Sequence, residues 1–452
     1  MYDIGIIGAG PAGYTAAIRA AQYGFSVVLF EKKDIGGTCL NKGCIPTKTL
    51  LHCSELFSSL KSVSKFGITI ENPTFDYSKM IDRKDTVVSK MKKSLTQLIS
   101  SYEIEIVETQ AQITSQNTIE AGEKSYECKN IIIATGSRPN KIKFEGTYDD
   151  NFVLNSDEIL ETKDLGENIL IVGSGAIGIE WTRIFAKLGK KVTLVELADK
   201  LIPIADSDVS NRIERILKRD RVKFFTSTSI SKIEGKSVTL SNDTTQDFDR
   251  VLVAIGRAPN IPENEFGSTI EHQKFVTTDH NFKTNYENVY AIGDINGLSM
   301  LAHSASHQAL EVIEYIKNKK EGSFDKNLVP SVIYGSPEIA WVGRTEQDLE
   351  TAGISYKKSF IPVAALGKAY ADDKIEGFIK ILANESEILG AHIISEEASA
   401  LVQEIAIAIT DKISPKKLSE VIFAHPTYSE GVFEAILGLD NLSINLPQTQ
   451  NN

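Results

Sequence analysis

The chain has 452 residues, of which 42% are hydrophobic and 24% are charged, and its formal net charge is −11. This composition is typical of a globular protein, and the length predicts two to four domains. The negative charge argues against general nucleic-acid binding, and four cysteines are too few for a secreted disulfide framework. No apolar run approaches the roughly 18–20 residues that cross a bilayer. We therefore expect a cytoplasmic protein with no membrane span.

The N-terminal segment has the pattern of a dinucleotide-binding unit. An apolar strand leads into a G-x-G-x-x-G turn at Gly8, Gly10 and Gly13, and a helix and a second strand ending in Glu31 follow. Gly8 permits a tight turn, Gly10 lets the backbone approach a pyrophosphate, and Gly13 lets the helix pack close to the strand. Glu31 is placed to accept hydrogen bonds from a ribose diol. The complete frame predicts a βαβ unit that binds a dinucleotide.

The next segment, GGTCLNKGCIPTKTLL at residues 36–51, contains two of the four cysteines. A tetrahedral metal site needs a second ligand pair, and neither the other cysteines nor the seven histidines offer one at a suitable spacing. A structural disulfide that closes so short a loop would add little stability, and a reducing compartment would disfavour it. Residues five apart on a regular helix have Cα atoms about 8.6 Å apart, farther than the roughly 7 Å limit of a disulfide. A Cys39–Cys44 bond therefore requires a distorted turn, which Gly43 and Pro46 favour. Because strain eases reduction, we interpret the pair as a redox couple.

The glycine pattern recurs in the middle of the chain. A second apolar strand leads into Gly173, Gly175 and Gly178, and Glu196 lies 23 residues after the first of these glycines, the same spacing as in the first unit. A carboxylate at this position repels a 2′-phosphate and binds a 2′-hydroxyl, so NAD is favoured over NADP. Two such units in one chain predict two cofactors or an electron relay between them.

Four further segments belong to these units. KNIIIATGSRPN and DRVLVAIGRAPN are buried strands that each close one unit, and residues 59–102 have a helical pattern. Gly293 and Asp294 end another strand, which we expect to return to the first unit. A carboxylate at that strand end suits a ribityl hydroxyl of a flavin.

From about Val329 onward the pattern alternates like antiparallel strands, and helices are expected near 397–412 and 416–424. The sequence thus predicts an α/β protein with two Rossmann-like units and a C-terminal α+β domain. The predicted boundaries are 1–145 for the first dinucleotide domain, 146–270 for the second, 271–333 for a central segment that completes the first site, and 334–452 for the C-terminal domain.

These motifs give the chain a family resemblance. The two glycine fingerprints and the segments GGTCLNKGCIPTKTLL, AIGRAPN, AIGDI, MLAHSA, PSVIYGSPEIAWVG and AHPTYSEGVFEA cover nearly the whole chain. The sequence resembles the pyridine nucleotide–disulfide oxidoreductases and, within them, the dihydrolipoamide dehydrogenases. The resemblance implies FAD in the first site, NAD in the second, a homodimer joined through the C-terminal domain, and NAD⁺-dependent oxidation of dihydrolipoamide through a Cys39–Cys44 disulfide.

The resemblance also implies roles for single residues. Cys39 would be the interchange thiol, Cys44 the flavin-proximal thiol, and Lys48 a cation near the flavin N5. His425 and Glu430 would be the base and its orienting carboxylate, with His425 reaching into the site of the other subunit. Contacts to the two cofactors are expected from Gly8, Gly10, Gly13, Glu31, Thr38, Lys48, Ala111, Thr135, Gly136, Ser137, Gly173, Gly175, Ile177, Gly178, Glu180, Glu196, Gly256, Arg257, Asp294, Met300, Leu301, Ala302 and His303.

The implied partners are the lipoyl and subunit-binding domains of a 2-oxoacid dehydrogenase E2 component, or the lipoyl protein of glycine cleavage. Two alternatives stay open. One is a glutathione-type or other low-molecular-weight disulfide reductase of the same family, which Glu196 disfavours because such enzymes normally use NADPH. The other is a structural flavoprotein subunit of a multienzyme complex, which the cysteine pair and the His-Glu pair together disfavour. Ala176 stands where relatives often carry a larger side chain, which predicts a more open nicotinamide pocket.

Overall fold

The computed structural model describes residues 1–262 and 266–447. The α-helices in these residues are α1 Pro11–Gln22, α2 Gly37–Lys42, α3 Cys44–Leu60, α4 Tyr77–Ser100, α5 Ala176–Lys187, α6 Ser207–Arg219, α7 Ala302–Asn318, α8 Glu346–Thr351, α9 Gly367–Ala371, α10 Ala398–Thr410, α11 Pro415–Leu418 and α12 Glu430–Gly438. A short 3₁₀ helix at Gly293–Asn296 precedes α7.

The strands in the same described residues form several sheets. They are β1 Tyr2–Ile7, β2 Val27–Phe30, β3 Glu105–Val107, β4 Ala111–Ser115, β5 Thr118–Ala121, β6 Lys124–Ile133, β7 Ser137–Pro139, β8 Glu145–Thr147, β9 Val153–Asn155, β10 Asn168–Val172, β11 Lys191–Val195, β12 Lys223–Phe225, β13 Ile230–Glu234, β14 Ser237–Leu240, β15 Thr245–Asp247, β16 Arg250–Val253, β17 Arg257–Pro259, β18 Val289–Ala291, β19 Ser331–Ile333, β20 Glu338–Gly343, β21 Lys357–Pro362, β22 Phe378–Ala383 and β23 Ile388–Ser395.

The first sheet contains the N-terminal glycine turn. Its strand order is β3-β2-β1-β6-β5-β4, and β18 pairs with β6, so a strand from near residue 290 joins strands from the first 133 residues. The strands β3, β2, β1, β6 and β18 run parallel, with Ile4 of β1 in register with Val27 and Asn130. Helices α1 and α7 cover one face and share a core in which Ala16 and Val312 are fully buried. The carboxyl ends of these parallel strands therefore meet beside the N-termini of α1 and α7.

The second sheet repeats this plan. Its order is β12-β11-β10-β16-β9, and every pair is parallel. Helix α5 begins directly after the second glycine turn and is buried over most of its length, including Trp181 and Phe185. An accessory antiparallel sheet, β15-β14-β13, gains β8 as a parallel edge, and β7 pairs with β17 between the two units.

The C-terminal residues form an antiparallel sheet covered by helices. The order is β19-β20-β23-β22-β21, and α10 and α12 pack on it around the buried side chains of Ile393, Val402 and Val432. The predicted helix over 397–412 is confirmed as α10. The helix expected over 416–424 is wrong in length, because α11 ends at Leu418 and residues 421–424 are not helical. The fold class predicted from the sequence is confirmed, whereas the domain boundaries stay a prediction.

The glycine turns are built by close backbone contact. A Cβ placed on Gly13 would lie under 3.0 Å from the carbonyl oxygen of Gly8, and Gly178 stands in the same relation to Gly173. A side chain at either position would force the helix away from its strand. Gly175 differs, because in the part of the chain that the structure describes, no atom beyond the adjacent backbone lies within 4 Å of a Cβ placed on it. The middle glycine therefore borders open space in front of the helix N-terminus.

A buried lysine ties the second unit to the C-terminal sheet. The ammonium of Lys380, on β22, is 1% exposed and lies 2.8 Å from Asp206 and 2.7 Å from Asp208 at the start of α6. The same ammonium binds Glu346 of α8. These carboxylates raise the pKa of Lys380 against the opposing effect of burial. Removing the lysine would leave the fully buried carboxylate of Asp206 without its lysine partner, so the two parts are fixed against each other.

No helix within the described ranges is long and apolar enough to cross a membrane.

Candidate functional site

The cysteine pair lies at a break between two helices. Cys39 belongs to α2, Gly43 interrupts the helix with φ −140° and ψ −113°, and Cys44 is the first residue of α3. The amide of Asn41 binds two carbonyl oxygens at the start of this segment. Both cysteines are free thiols and half-buried. The distorted turn that the spacing demanded is therefore present at the predicted glycine.

The two thiols do not have equal acidity. A hydrogen bond with Cys39 and the nearby ammonium of Lys48 lower the pKa of Cys44 to about 7, although burial opposes them. The same hydrogen bond, together with burial, raises the pKa of Cys39. Cys44 also begins a 17-residue helix, where the helix dipole favours a thiolate. The helix start and the Lys48 ammonium therefore favour the thiolate on Cys44 over one on Cys39.

Lys48 joins this pair to the second unit. It lies one helical turn after Cys44 on α3, and its ammonium is 2.8 and 2.9 Å from the two carboxylate oxygens of Glu180 on α5. Glu180 is only 4% exposed. The ring of Tyr334 lies beneath the ammonium, 4.7 Å from ring centre to nitrogen, and the backbone N–H of Tyr334 donates to Glu180 at 3.1 Å. Glu180, expected as a cofactor contact, thus has its carboxylate engaged by Lys48 and Tyr334.

A cavity opens in front of the first glycine turn. It has a volume of about 540 Å³, and Gly8, Glu31, Ala111 and Thr135 line it together. One oxygen of Glu31 accepts from the N–H of Ala9 at 2.8 Å, and the other accepts from two N–H groups that follow it. The carboxylate is held firmly and keeps acceptor capacity for a diol. The cavity suits the nucleoside end of a dinucleotide.

Helix α1 begins three residues after Gly8, which lines this cavity. Its N-cap is Gly10, and no side chain caps the helix. Uncapped N–H groups and the positive end of the helix dipole suit a pyrophosphate. The residues present therefore fit a bound dinucleotide such as FAD.

The second turn has the same construction. Glu196 accepts from the backbone N–H of Ser174 at 2.8 Å and from that of Ala198 at 2.8 Å. Gly175 caps α5 without a side-chain bond, and Ile177 and Gly178 lie in its first turn. Within residues 1–262 and 266–447, no lysine or arginine forms an ion pair with Glu196, so the residues fit the free 2′-hydroxyl of NAD.

A polar chain connects the two units. The guanidinium of Arg257, which follows Gly256, donates to the hydroxyl of Ser137 at 2.7 Å and to its carbonyl at 2.9 Å. The same guanidinium reaches Thr38 of α2 at 3.4 Å. The hydroxyl of Ser137, next to Gly136, donates to Asp294 at 2.5 Å. Four predicted contact residues from distant parts of the sequence are thus brought together.

Met300 to His303 lie at the start of α7. Leu301 is its N-cap and Ala302 its first residue, and the ring of His303 lies 2.8 Å from the carbonyl oxygen of Pro330. The hydroxyl of Ser306, one turn on, contacts the carbonyl oxygen of Pro11. This links the start of α7 to the start of α1, so the segment borders the first glycine turn.

His425 and Glu430 form a separate pair on the C-terminal domain. Nδ1 of His425 lies 2.8 Å from Glu430, and the N–H of Thr427 donates to the other carboxylate oxygen at 2.9 Å. Burial raises the pKa of Glu430, but these two hydrogen bonds outweigh it and hold that pKa below its usual value. The imidazole is 76% exposed. Among the described residues it makes no hydrogen bond or ion pair with the cysteine pair.

Some site residues were not identified from the sequence. Tyr334 lies in the quoted segment PSVIYGSPEIAWVG but received no role, although its ring and N–H hold the Lys48–Glu180 pair. The hydroxyl of Ser174, within the second glycine turn, donates to Glu196 at 2.7 Å and accepts from the N–H of Ile202. The position of Ser174 inside a glycine turn could have predicted its role, whereas no local sequence pattern around Tyr334 predicts one.

Comparison with known proteins identifies the family of this chain. Residues 2–309 match the family model described as pyridine nucleotide-disulphide oxidoreductase, and residues 329–436 match the model of its dimerisation domain. The chain belongs to the pyridine nucleotide-disulphide oxidoreductase family. FAD and NAD are the cofactors that this assignment carries, and the two glycine turns fit them.

Similar proteins extend over the whole chain. The dihydrolipoyl dehydrogenase of Chlamydia muridarum is 36% identical over 99% of each chain, and that of Bacillus subtilis is 33% identical over 98% of this chain and 99% of the other. Among solved structures, LpdA from Mycobacterium tuberculosis has a TM-score of 0.89 at 23% identity over 96% of this chain and 99% of its own, which shows a common fold. The HOCl-induced flavoprotein disulfide reductase RclA from Escherichia coli, solved as a Cu(II) complex, has a TM-score of 0.86 at 26% identity over 96% of this chain and 98% of its own.

The position of Lys48 predicts how a substitution alters Cys44. Replacing Lys48 by Met removes the cation that lowers the pKa of Cys44, and we expect that pKa to rise by about one unit. The thiolate fraction at pH 7 should then fall about fivefold. The measurement is the pH dependence of Cys44 alkylation in the reduced protein, followed by mass spectrometry.

Two controls accompany this variant. Glu180→Gln is combined with Lys48→Met, because a buried carboxylate without its cation costs about 3–5 kcal/mol. Lys61→Met removes an exposed lysine just after α3 and should leave the alkylation profile unchanged. An unchanged profile in both Lys48 variants would show that the ammonium does not control the thiol.

Proposed function

We propose that this protein is a dihydrolipoyl dehydrogenase, which oxidises protein-bound dihydrolipoyl groups to the lipoyl disulfide and reduces NAD⁺. The observation that carries the proposal is the Cys39–Cys44 pair, with its acidic thiol beside the Lys48–Glu180 ion pair. Support comes also from dihydrolipoyl dehydrogenases that match 95–99% of this chain at 33–36% identity.

The unequal acidity of the thiols sets the direction of disulfide exchange. In the oxidised protein a substrate thiolate attacks the sulfur of Cys39 and expels Cys44, because the thiol of lower pKa leaves faster. The second substrate thiol then attacks the mixed disulfide and releases Cys39. Two electrons and one proton remain with the cysteine pair, and one thiol proton has passed to a base. The sum is a reduced pair and an oxidised lipoyl group.

Bound FAD supplies a two-electron carrier between the cysteine pair and NAD⁺. The chain contributes binding, orientation and charge around it. We assign the residues of the first cavity and turn, Gly8, Gly10, Gly13, Glu31, Ala111 and Thr135, to FAD, together with the Thr38–Arg257–Ser137–Asp294 chain and Met300 to His303. We assign Gly173, Gly175, Ile177, Gly178 and Glu196 to NAD.

His425 is the proposed base, and it serves the site of a second copy. Its ring is exposed, oriented by Glu430 and without a bond to the cysteines of its own chain. The match of residues 329–436 to a dimerisation domain supports a homodimer in which the ring of one subunit completes the site of the other. A carboxylate at Nδ1 leaves Nε2 as the atom that takes the thiol proton.

The proposed partners are lipoyl-bearing chains. The dihydrolipoyl substrate would be presented by the E2 component of a 2-oxoacid dehydrogenase complex or by the lipoyl protein of glycine cleavage. We place this reaction in the cytoplasm.

Substrate rates test the proposed activity directly. Dihydrolipoamide with NAD⁺ should be oxidised at least 100-fold faster, by kcat/KM, than glutathione with either NAD⁺ or NADP⁺. The reason is that Glu196 disfavours a 2′-phosphate and the cysteine pair must match a dithiol. Faster turnover of glutathione disulfide with NADPH would instead assign the glutathione-type activity.

A mixed dimer tests the shared site. One subunit carries Cys44→Ser and the other His425→Gln, and differently tagged copies are purified together. If His425 acts on the partner's cysteines, one site keeps both groups, so the mixed dimer should retain about half of the wild-type kcat. Each pure variant should lose about 10²-fold or more. A mixed dimer as inactive as the pure variants would place His425 in the site of its own chain.

A further inference from the structure

We propose that Arg183 is a positioning residue of the redox site. It holds residues 334–337 in place, so that Tyr334 fixes the Lys48–Glu180 pair beside Cys44. The inference deepens the proposed function and rests on it for the use of the thiolate.

Arg183 is a cation inside the protein. It lies on α5 and is 2% exposed, and its Nη1 donates to the carbonyl oxygens of Pro337 at 2.7 Å and Tyr334 at 3.3 Å. Its Nε and Nη2 have no hydrogen-bond partner among residues 1–262 and 266–447. Burying such donors without partners costs free energy, so an apolar side chain of similar volume would serve packing better. The contacts that the guanidinium does make are therefore the ones to explain.

The loop of residues 334–337 is shaped around the Arg183 guanidinium. A Cβ placed on Gly335 would lie under 3.0 Å from both Nη1 and Cδ of Arg183, and Gly335 has φ +147°. A side chain at residue 335 would displace either the loop or the arginine. The guanidinium thus occupies the space that the glycine leaves, between the two carbonyls it binds.

Helix α5 holds Tyr334 from two sides. Glu180 and Arg183 are three residues apart and share one helix face. Glu180 accepts the backbone N–H of Tyr334, and Arg183 donates to its carbonyl oxygen. With both backbone groups fixed, the ring is held against the ammonium of Lys48. The position of the cation that lowers the pKa of Cys44 thus depends on two residues of α5, one of them without contact to Lys48.

The charge of Arg183 is retained at neutral pH. Burial lowers its pKa, and four surrounding carboxylates, those of Asp220, Glu55, Glu180 and Glu396, oppose that effect. A guanidinium stays protonated in proteins because its pKa lies so far above 7. Arg183 therefore acts as a permanent donor, and its effect on the thiol is one of position.

The test is the pH profile of Cys44 alkylation in the reduced, FAD-loaded dimer, read residue by residue by mass spectrometry. Arg183→Met keeps the volume and removes the donors. Without Arg183, Tyr334 should hold Lys48 less firmly, and the midpoint of Cys44 alkylation should move up by about half a pH unit. The thiolate fraction of Cys44 at pH 7 should then fall about twofold. Arg183→Lys, which keeps a cation able to bind a carbonyl, should restore part of the shift.

Two further variants separate positioning from a general structural effect. Thr182→Val removes an unpartnered buried hydroxyl from the neighbouring position of α5 and should leave the profile unchanged. In a protein that already carries Tyr334→Leu, Arg183→Met should shift the alkylation midpoint less than it does in the wild type. The reason is that both substitutions act through the contact between Tyr334 and Lys48. Should Arg183→Met not fold, Arg183→Gln is measured in its place.

The outcomes distinguish this inference from the proposed function. A folded Arg183→Met or Arg183→Gln protein with the wild-type profile, or shifts that add fully with Tyr334→Leu, would overturn the positioning role alone. A wild-type protein with no thiolate at Cys44 near neutral pH would overturn the proposed function instead.

Discussion

The ion pair between Lys48 and the buried Glu180 is the interaction on which the rest of the site depends. Glu180 is 4% exposed, and a carboxylate so buried needs a cation and hydrogen bonds to remain in place. Its cation comes from α3, which begins with Cys44, whereas Glu180 lies on α5, which begins at the second glycine turn. The pair therefore fixes the cysteine-bearing helix of the first unit against the nucleotide-binding helix of the second.

The Lys48–Glu180 pair also affects the acidity of Cys44. Holding Lys48 near Cys44 stabilises a thiolate, and the hydrogen bond from Cys39 stabilises it further. The pair of thiols then has one good leaving group and one sulfur that substrate can attack, which is what two-step disulfide exchange requires. Arg257 links the units at a second place through Ser137 and Thr38, so the relative position of the two dinucleotide sites is fixed by polar contacts from both sides.

The sequence predicted the parts of the molecule that are specified locally. The two glycine turns, with Glu31 and Glu196 at equal spacing, predicted both βαβ units because strand, turn and helix follow one another along the chain. The break at Gly43 followed from the reach of a disulfide. Contacts between distant segments could not be predicted in this way, since no spacing relates Arg183 to Tyr334. The helix expected over 416–424 was too long, because periodicity alone does not mark where tertiary packing ends a helix.

The proposed reaction requires Cys39 and Cys44 to be an exchangeable redox pair coupled to NAD. The most direct measurement is a count of thiols in the anaerobic, oxidised protein before and after one equivalent of dihydrolipoamide per subunit. We expect alkylation to increase by two thiols per subunit, at Cys39 and Cys44, with no change at Cys53 or Cys128, and added NAD⁺ to reverse it with formation of one equivalent of NADH. A thiol count at Cys39 and Cys44 that dihydrolipoamide does not change would show that the two cysteines do not exchange with the substrate.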